Sequence, residues 1–231
     1  MTDTEATTEP AVEEAPWRSR AVARSLDGAR SRAEERVQRF LDAAVELIAE
    51  KGGLDFTVQD VVERSNQSLR SFYQFFDGKQ HLLLAVYEES MHSAAQRLAE
   101  TLSDESDPLE RVHKFVVTLY EWSEREPVDE PPAPHLTVRA MADFVFGLLA
   151  SNRDQAAAAS APLYEVLLGL LNDANDAGAL SITDTRRTAA LVLQTTMFNA
   201  FGTVTHGGED AHHSRAEQMW EFCFHGLSGN I

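Results

Sequence analysis

One cysteine, Cys223, stands in the 231 residues, so no internal disulfide can form and the chain suits a reducing cytoplasm. No uninterrupted apolar run approaches membrane-spanning length; even "MADFVFGLLA" contains Asp143. The first sixteen residues, "MTDTEATTEPAVEEAP", are acidic and lack the apolar centre of a signal peptide. Strand-like alternation of useful length is missing throughout. So are a nucleophile-and-base constellation, a phosphate-cradling glycine loop and a regularly spaced carboxylate pair. These gaps argue against a secreted, membrane-embedded or catalytic protein. They leave a soluble, cytoplasmic, all-helical chain with no cofactor as the expectation. Its 43% hydrophobic and 25% charged residues are ordinary for a globular protein.

The formal charge of −17 is unevenly spread. Residues 1–16 carry −5 and residues 41–80 carry −3, while residues 81–231 hold −13. Between them, residues 17–40 hold seven arginines (18, 20, 24, 30, 32, 36 and 39) against three acids, for +4. A polyanion is therefore expected only at the N-terminal end.

Low apolar content, clustered charge, Pro10 and Pro16 predict a disordered segment over residues 1–30, with Arg18, Arg20 and Arg24 on a flexible arm. A helix is expected to start at Ser31, where "SRAE" reads as a capping box. Val37, Leu41, Ala44, Val45 and Ile48 share its apolar face, and Gly52 and Gly53 end it. Thr57 and Asp60 form a second capping box, followed by Val58, Val61 and Val62. Asn66 suits a left-handed turn, and Ser68 caps a further short helix. Asp77 and Gln80 then read as the cap of a long helix. Helix, tight turn and short helix make a helix-turn-helix over residues 31–80.

"SNQSLRSFYQFFDGKQHLL" is both polar and aromatic. If Phe72 and Phe76 pack inward, Leu69, Arg70, Ser71, Tyr73 and Gln74 turn outward on a helix short enough for a major groove. Arg and Gln can address guanine and adenine, and Ser, Tyr and Lys79 suit phosphates. The same spacing also describes a plain three-helix unit with a solvated face.

"TVQDVVERSNQSLRSFYQFFDGKQHLLLAVYEE" resembles the DNA-binding segment of TetR/AcrR-type transcriptional regulators. The family's pattern falls on Thr57, Ser68, Phe72-Tyr73, Phe76, Lys79 and Leu82. Asn66 stands where glycine is usual, and Val62 where alanine is usual. The resemblance implies a DNA-binding set of Thr57, Ser68, Leu69, Arg70, Ser71, Tyr73, Gln74 and Lys79. It also implies a repressor acting as a homodimer on a double-stranded, palindromic DNA operator.

Residues 81–231 read as a helical bundle. By resemblance it binds a small, partly apolar effector and dimerises through its last two long helices. Phe115, Leu119, Trp122, Met141, Phe144, Phe146 and Asn199 could line a cavity, although each also reads as ordinary core. Met197, Phe201, Trp220 and Phe224 are candidates for the dimer interface. Phe222 and Phe224, two apart, lie on different faces of one helix, which favours a partner subunit. The rival reading is a metal-binding protein or enzyme using His206, Glu209, Asp210, His212 and His213. Their spacing matches no ligand signature, and no metal is assigned.

Overall fold

The computed structural model describes residues 16–124, 141–202 and 212–227. The described residues form nine helices and no strand: α1 (Pro16–Lys51), α2 (Val58–Arg64), α3 (Leu69–Phe75), α4 (Lys79–Leu102), α5 (Pro108–Glu124), α6 (Ala142–Ser151), α7 (Arg153–Asp176), α8 (Thr185–Gly202) and α9 (His212–Leu227). The chain divides into two units, residues 1–39 and 40–231.

In the first unit, helix extends well upstream of its expected start. α1 begins at Pro16, and Ser31 is an interior residue of it, not a cap. Proline at a first helical position has no amide to leave unsatisfied. The residues after it are rich in arginine and alanine, which favour helix. An Arg30–Glu34 pair of 2.7 Å bridges the point where the sequence predicted the start. The expected disorder over residues 1–30 is therefore corrected for residues 16–30. Residues 1–15 lie outside the described residues.

In the second unit, α1 continues through Phe40, Ala44, Leu47 and Ile48, all buried. Val37 and Val45, placed on this face by their spacing, are half-buried. Gly52 ends the helix at φ 64, a conformation that glycine adopts without strain. Downstream, α4 packs on α7, α5 on α7, α8 and α9, and α6 on α7. The core holds Leu83, Val86, Leu98, Val112, Phe115, Tyr120, Leu163, Leu167 and Leu171. Tyr87 bonds Ser160 at 3.1 Å, joining α4 to α7 inside it.

Two helix starts differ from expectation. α4 has Gly78 as its first flanking residue and no side-chain cap, so Asp77 and Gln80 do not close a capping box. Instead, the Asp77 amide donates to His81 Nδ1. α7 begins at Arg153, where the Asn152 side chain accepts from the Gln155 amide, and runs through Pro162. Its alanine-rich first turns outweigh the single amide that the proline lacks.

Candidate nucleic-acid interface

The reading head is built by short-range bonds. The Thr57 amide donates to Asp60 Oδ2 at 2.8 Å, and the Asp60 amide to Thr57 Oγ1 at 3.2 Å. That reciprocal cap starts α2 and holds the Asp60 carboxyl below the usual carboxylate range. Asn66, at φ 51, makes the left-handed turn. Ser68 Oγ then accepts the Ser71 amide at 3.0 Å and starts α3.

Aromatic packing sets which way α3 faces. Phe72 is fully buried, edge-on to Phe40 at 5.5 Å, and Phe76 meets the same ring at 6.1 Å. Val62, in place of the usual alanine, is accommodated as a buried residue. With Phe72 inward, Leu69 is 43% exposed and Tyr73 57%, and Arg70 and Gln74 are exposed beside them. Ser71 is half-buried. Seven residues make a helix about 10 Å long, which a major groove about 12 Å wide admits.

The charges of the head are mostly committed internally. Lys51 pairs with Asp60 at 3.5 Å, and Arg64 with Glu46 at 3.3 Å and Glu50 at 2.5 Å. Lys79, expected as a phosphate contact, has partners within the head. Its ammonium donates to the carbonyls of Leu54 and Phe56 and sits over the Phe56 ring, 4.4 Å from its centre. Partial burial lowers its pKa, with Asp55 pulling the other way. Lys79 is thus a clamp between the α1–α2 loop and the start of α4. Among the described residues from 41 to 80, Arg70 is the basic side chain that no internal acceptor holds. Spacing gave no sign of these commitments, because Arg64 meets its acids 14 and 18 residues away.

The described cavity candidates have different surroundings. Phe115, Leu119 and Met141 are buried core. Trp122 is half-buried under the Arg97 guanidinium, 4.9 Å from its ring centre. Phe146, 41% exposed, meets Phe198 at 5.8 Å. The Asn199 side chain lies outside the described residues. Phe144 lines a cleft of about 870 Å³, where Gln80, His81 and Leu84 of α4 face α6 and the start of α7. Neither the cleft nor His81 and Asp143 on its wall was marked by any sequence motif.

Of the interface candidates, Met197, Trp220 and Phe224 are half-buried. Trp220 stacks within its own chain, 5.0 Å from His113 and 5.4 Å from Phe224. The exposed apolar residues of these two helices are Leu191, Phe198 and Phe222, the last 68% exposed. His206, Glu209 and Asp210 lie outside the described residues, as do the side chains of Phe201, His212, His213, Arg18 and Arg20. Arg24 is exposed on α1.

Among the described residues, fold and head define an all-helical protein with a helix-turn-helix. Residues 40–86 match the model of bacterial regulatory proteins of the tetR family. It is similar to the HTH-type transcriptional regulator BetI of Brucella anthropi, 26% identical over 89 residues, which are 38% of this chain and 46% of that protein. The match thus spans about half of the curated relative's length. Two solved structures share the fold. FadR of Bacillus subtilis, in complex with stearoyl-CoA, aligns at 17% identity and TM-score 0.64 over 82% of this chain and 98% of its own. FadR of Thermus thermophilus, a repressor in complex with lauroyl-CoA, aligns at 16% and 0.64 over 84% and 96%.

Proposed function

We propose that the protein is a ligand-responsive transcriptional regulator, a repressor that binds a palindromic operator as a homodimer and releases it when a small molecule binds. The observation that carries this reading is the outward face of α3. Leu69, Arg70, Tyr73 and Gln74 stand exposed on a capped helix whose other face is locked to Phe40. Arg70 and Gln74 are suited to bidentate contacts with base edges, and Tyr73 and Ser68 to phosphates. The seven arginines of residues 17–39, against three acids, suit this segment to further phosphate contacts. Arg24 then acts from a helix instead of a flexible tail.

Two features support the rest of the reading. Exposed Leu191, Phe198 and Phe222 on α8 and α9 offer apolar surface for a second copy, and a two-fold dimer calls for a two-fold operator. The relatives named above are regulators, and the two FadR proteins hold small molecules. The reading assigns the chain no catalytic step and no membrane partner; no described helix is long and apolar enough to cross a membrane.

Selection of genomic fragments by the purified protein, with sedimentation of free and DNA-bound forms, tests this. Recovery of an imperfect palindrome bound by a dimer is expected. A stable monomer that binds tightly to sites without two-fold symmetry would overturn it.

A further inference from the structure

The cleft beneath the reading head is not explained by DNA binding. At about 870 Å³ it lies within the range of small-molecule sites, roughly 300–1,000 Å³. Its walls come from the α1–α2 loop, the α3–α4 junction, α4, α6 and the first turn of α7. Apolar surface is supplied by Leu54, Leu84, Phe144 and Leu148, and amides by Gln80 and Gln155. Two carboxylates, Asp77 and Asp143, also line it, and among the described lining residues there is no lysine or arginine.

The remaining polar groups do not reverse that sign. His81 Nδ1 accepts the Asp77 amide at 3.2 Å and stands 3.6 Å from the Asp77 carboxylate. At the start of α7, the Gln155 amide is taken by Asn152 Oδ1 at 3.2 Å. A ligand with a negative head would bring it against Asp77 and Asp143 with no lysine or arginine among the described wall residues to offset them. A positive head would meet both carboxylates, with Phe144 as an aromatic face for its apolar body.

We infer that this cleft binds an organic cation with an apolar body, such as a protonated amine bearing an aryl or alkyl group, and that this is the class of effector the regulator senses. The inference rests on the effector-responsive reading and gives it a place and a charge. It also gives a route to the head. Gln80, His81 and Leu84 lie in the first turns of α4, directly after the reading helix, and α6 and α7 form the opposite wall. A molecule that binds one spacing of α4 from α6–α7 better than another shifts the head by that difference in affinity.

The test uses the full chain and two probes of one shape and opposite charge, 4-phenylbutylammonium and 4-phenylbutyrate. Calorimetric titration is expected to show binding of the amine and none of the acid. Asp143→Asn, at an exposed position, should weaken amine binding about five-fold, the effect of one charge at about 4 Å in water-like surroundings. Ser151→Arg, which places a cation on the wall, should abolish it. The amine should also release operator DNA in a fluorescence-anisotropy assay. Equal binding of acid and amine, no amine binding, or amine binding unchanged in both variants would overturn the inference; the wild-type pair decides even if a variant misfolds. Operator release by another molecule such as lauroyl-CoA, with the amine inert, would leave the regulator reading intact and remove this site. Charge-selective, Asp143-dependent binding without operator release would keep the site and remove its role as effector sensor.

Discussion

In the reading head, each turn of chain is fixed by a neighbour a few residues away: Thr57 with Asp60, Ser68 with Ser71, and Asn66 in its own left-handed conformation. In the bundle, the comparable fixings are remote. His113 meets Glu217 across 104 residues, Tyr87 meets Ser160 across 73, and Arg111 meets Asp173 across 62. A head specified by local chemistry keeps a recognisable pattern of residues, and the family model accordingly matches residues 40–86. A bundle specified by distant packing shares its fold with structures only 16–17% identical. The small-molecule site proposed above lies where the two regions meet.

The comparison can be broken most severely through the aromatic lock. Phe72→Ala removes a fully buried ring from a small module and should cost about 3–5 kcal/mol. Denaturant titration followed by circular dichroism should show loss of the head before the bundle. A single unchanged transition would show that the two regions are not stabilised separately.

Lys79→Met sharpens the distinction between clamp and phosphate contact. Loss of two partly exposed bonds to carbonyls should destabilise the head by about 1 kcal/mol. Operator affinity should fall with it, while the slope of log affinity against log salt stays unchanged. A slope reduced by about 0.9 would mean that the ammonium neutralises a phosphate after all.

Asn66→Gly tests the local side at a single turn. Glycine adopts positive φ freely but gains entropy in the unfolded chain, so the net change should stay within about 0.5 kcal/mol. A larger loss in thermal unfolding would mean that the Asn66 side chain contributes more than its conformation.

The smallest effect belongs to a bundle contact. Partial burial pulls the His113 pKa down, but hydrogen bonds to the Glu217 and Glu110 carboxylates outweigh it and leave the pKa raised above the ordinary histidine value. A raised folded-state pKa stabilises the protein below the unfolded value, and that contribution is lost as pH rises through the folded one. Unfolding measured from pH 6 to 8 should show a slight loss of stability with rising pH, absent in His113→Gln. An identical profile in the variant would sever the α5–α9 contact from this titration.

How much could be read beforehand follows the same division. The Thr57 box, the Asn66 turn, the Ser68 cap and the inward Phe72 were legible because each is a spacing of a few residues. Ser31 misled because a capping box is also a pair of helix-compatible residues, and the arginine- and alanine-rich chain before it favours continuing the helix. Phe40 was overlooked as the centre of the head, since its partners Phe72 and Phe76 lie more than thirty residues on. Lys79 misled because a lysine at a helix start looks like an anion site, while carbonyls more than twenty residues earlier claim its charge. In the bundle, helices were legible and sites were not. Periodicity marks a buried face without saying whether Phe115 faces a neighbour or a cavity, and the cleft of Phe144 and Asp143 exists only once α4, α6 and α7 are assembled.

The central claim is that the outward face of α3 reads base edges, and competition between duplexes tests it most directly. Wild-type protein, Arg70→Ala and Gln74→Ala would each be titrated by fluorescence anisotropy against the selected operator and against copies changed one base pair at a time. Each variant should lose about 1–3 kcal/mol on the operator and become indifferent to a particular base pair in each half-site, while its affinity for unrelated DNA falls less. If both variants keep the operator affinity and the base preferences of the wild type, the face that reads DNA is not α3.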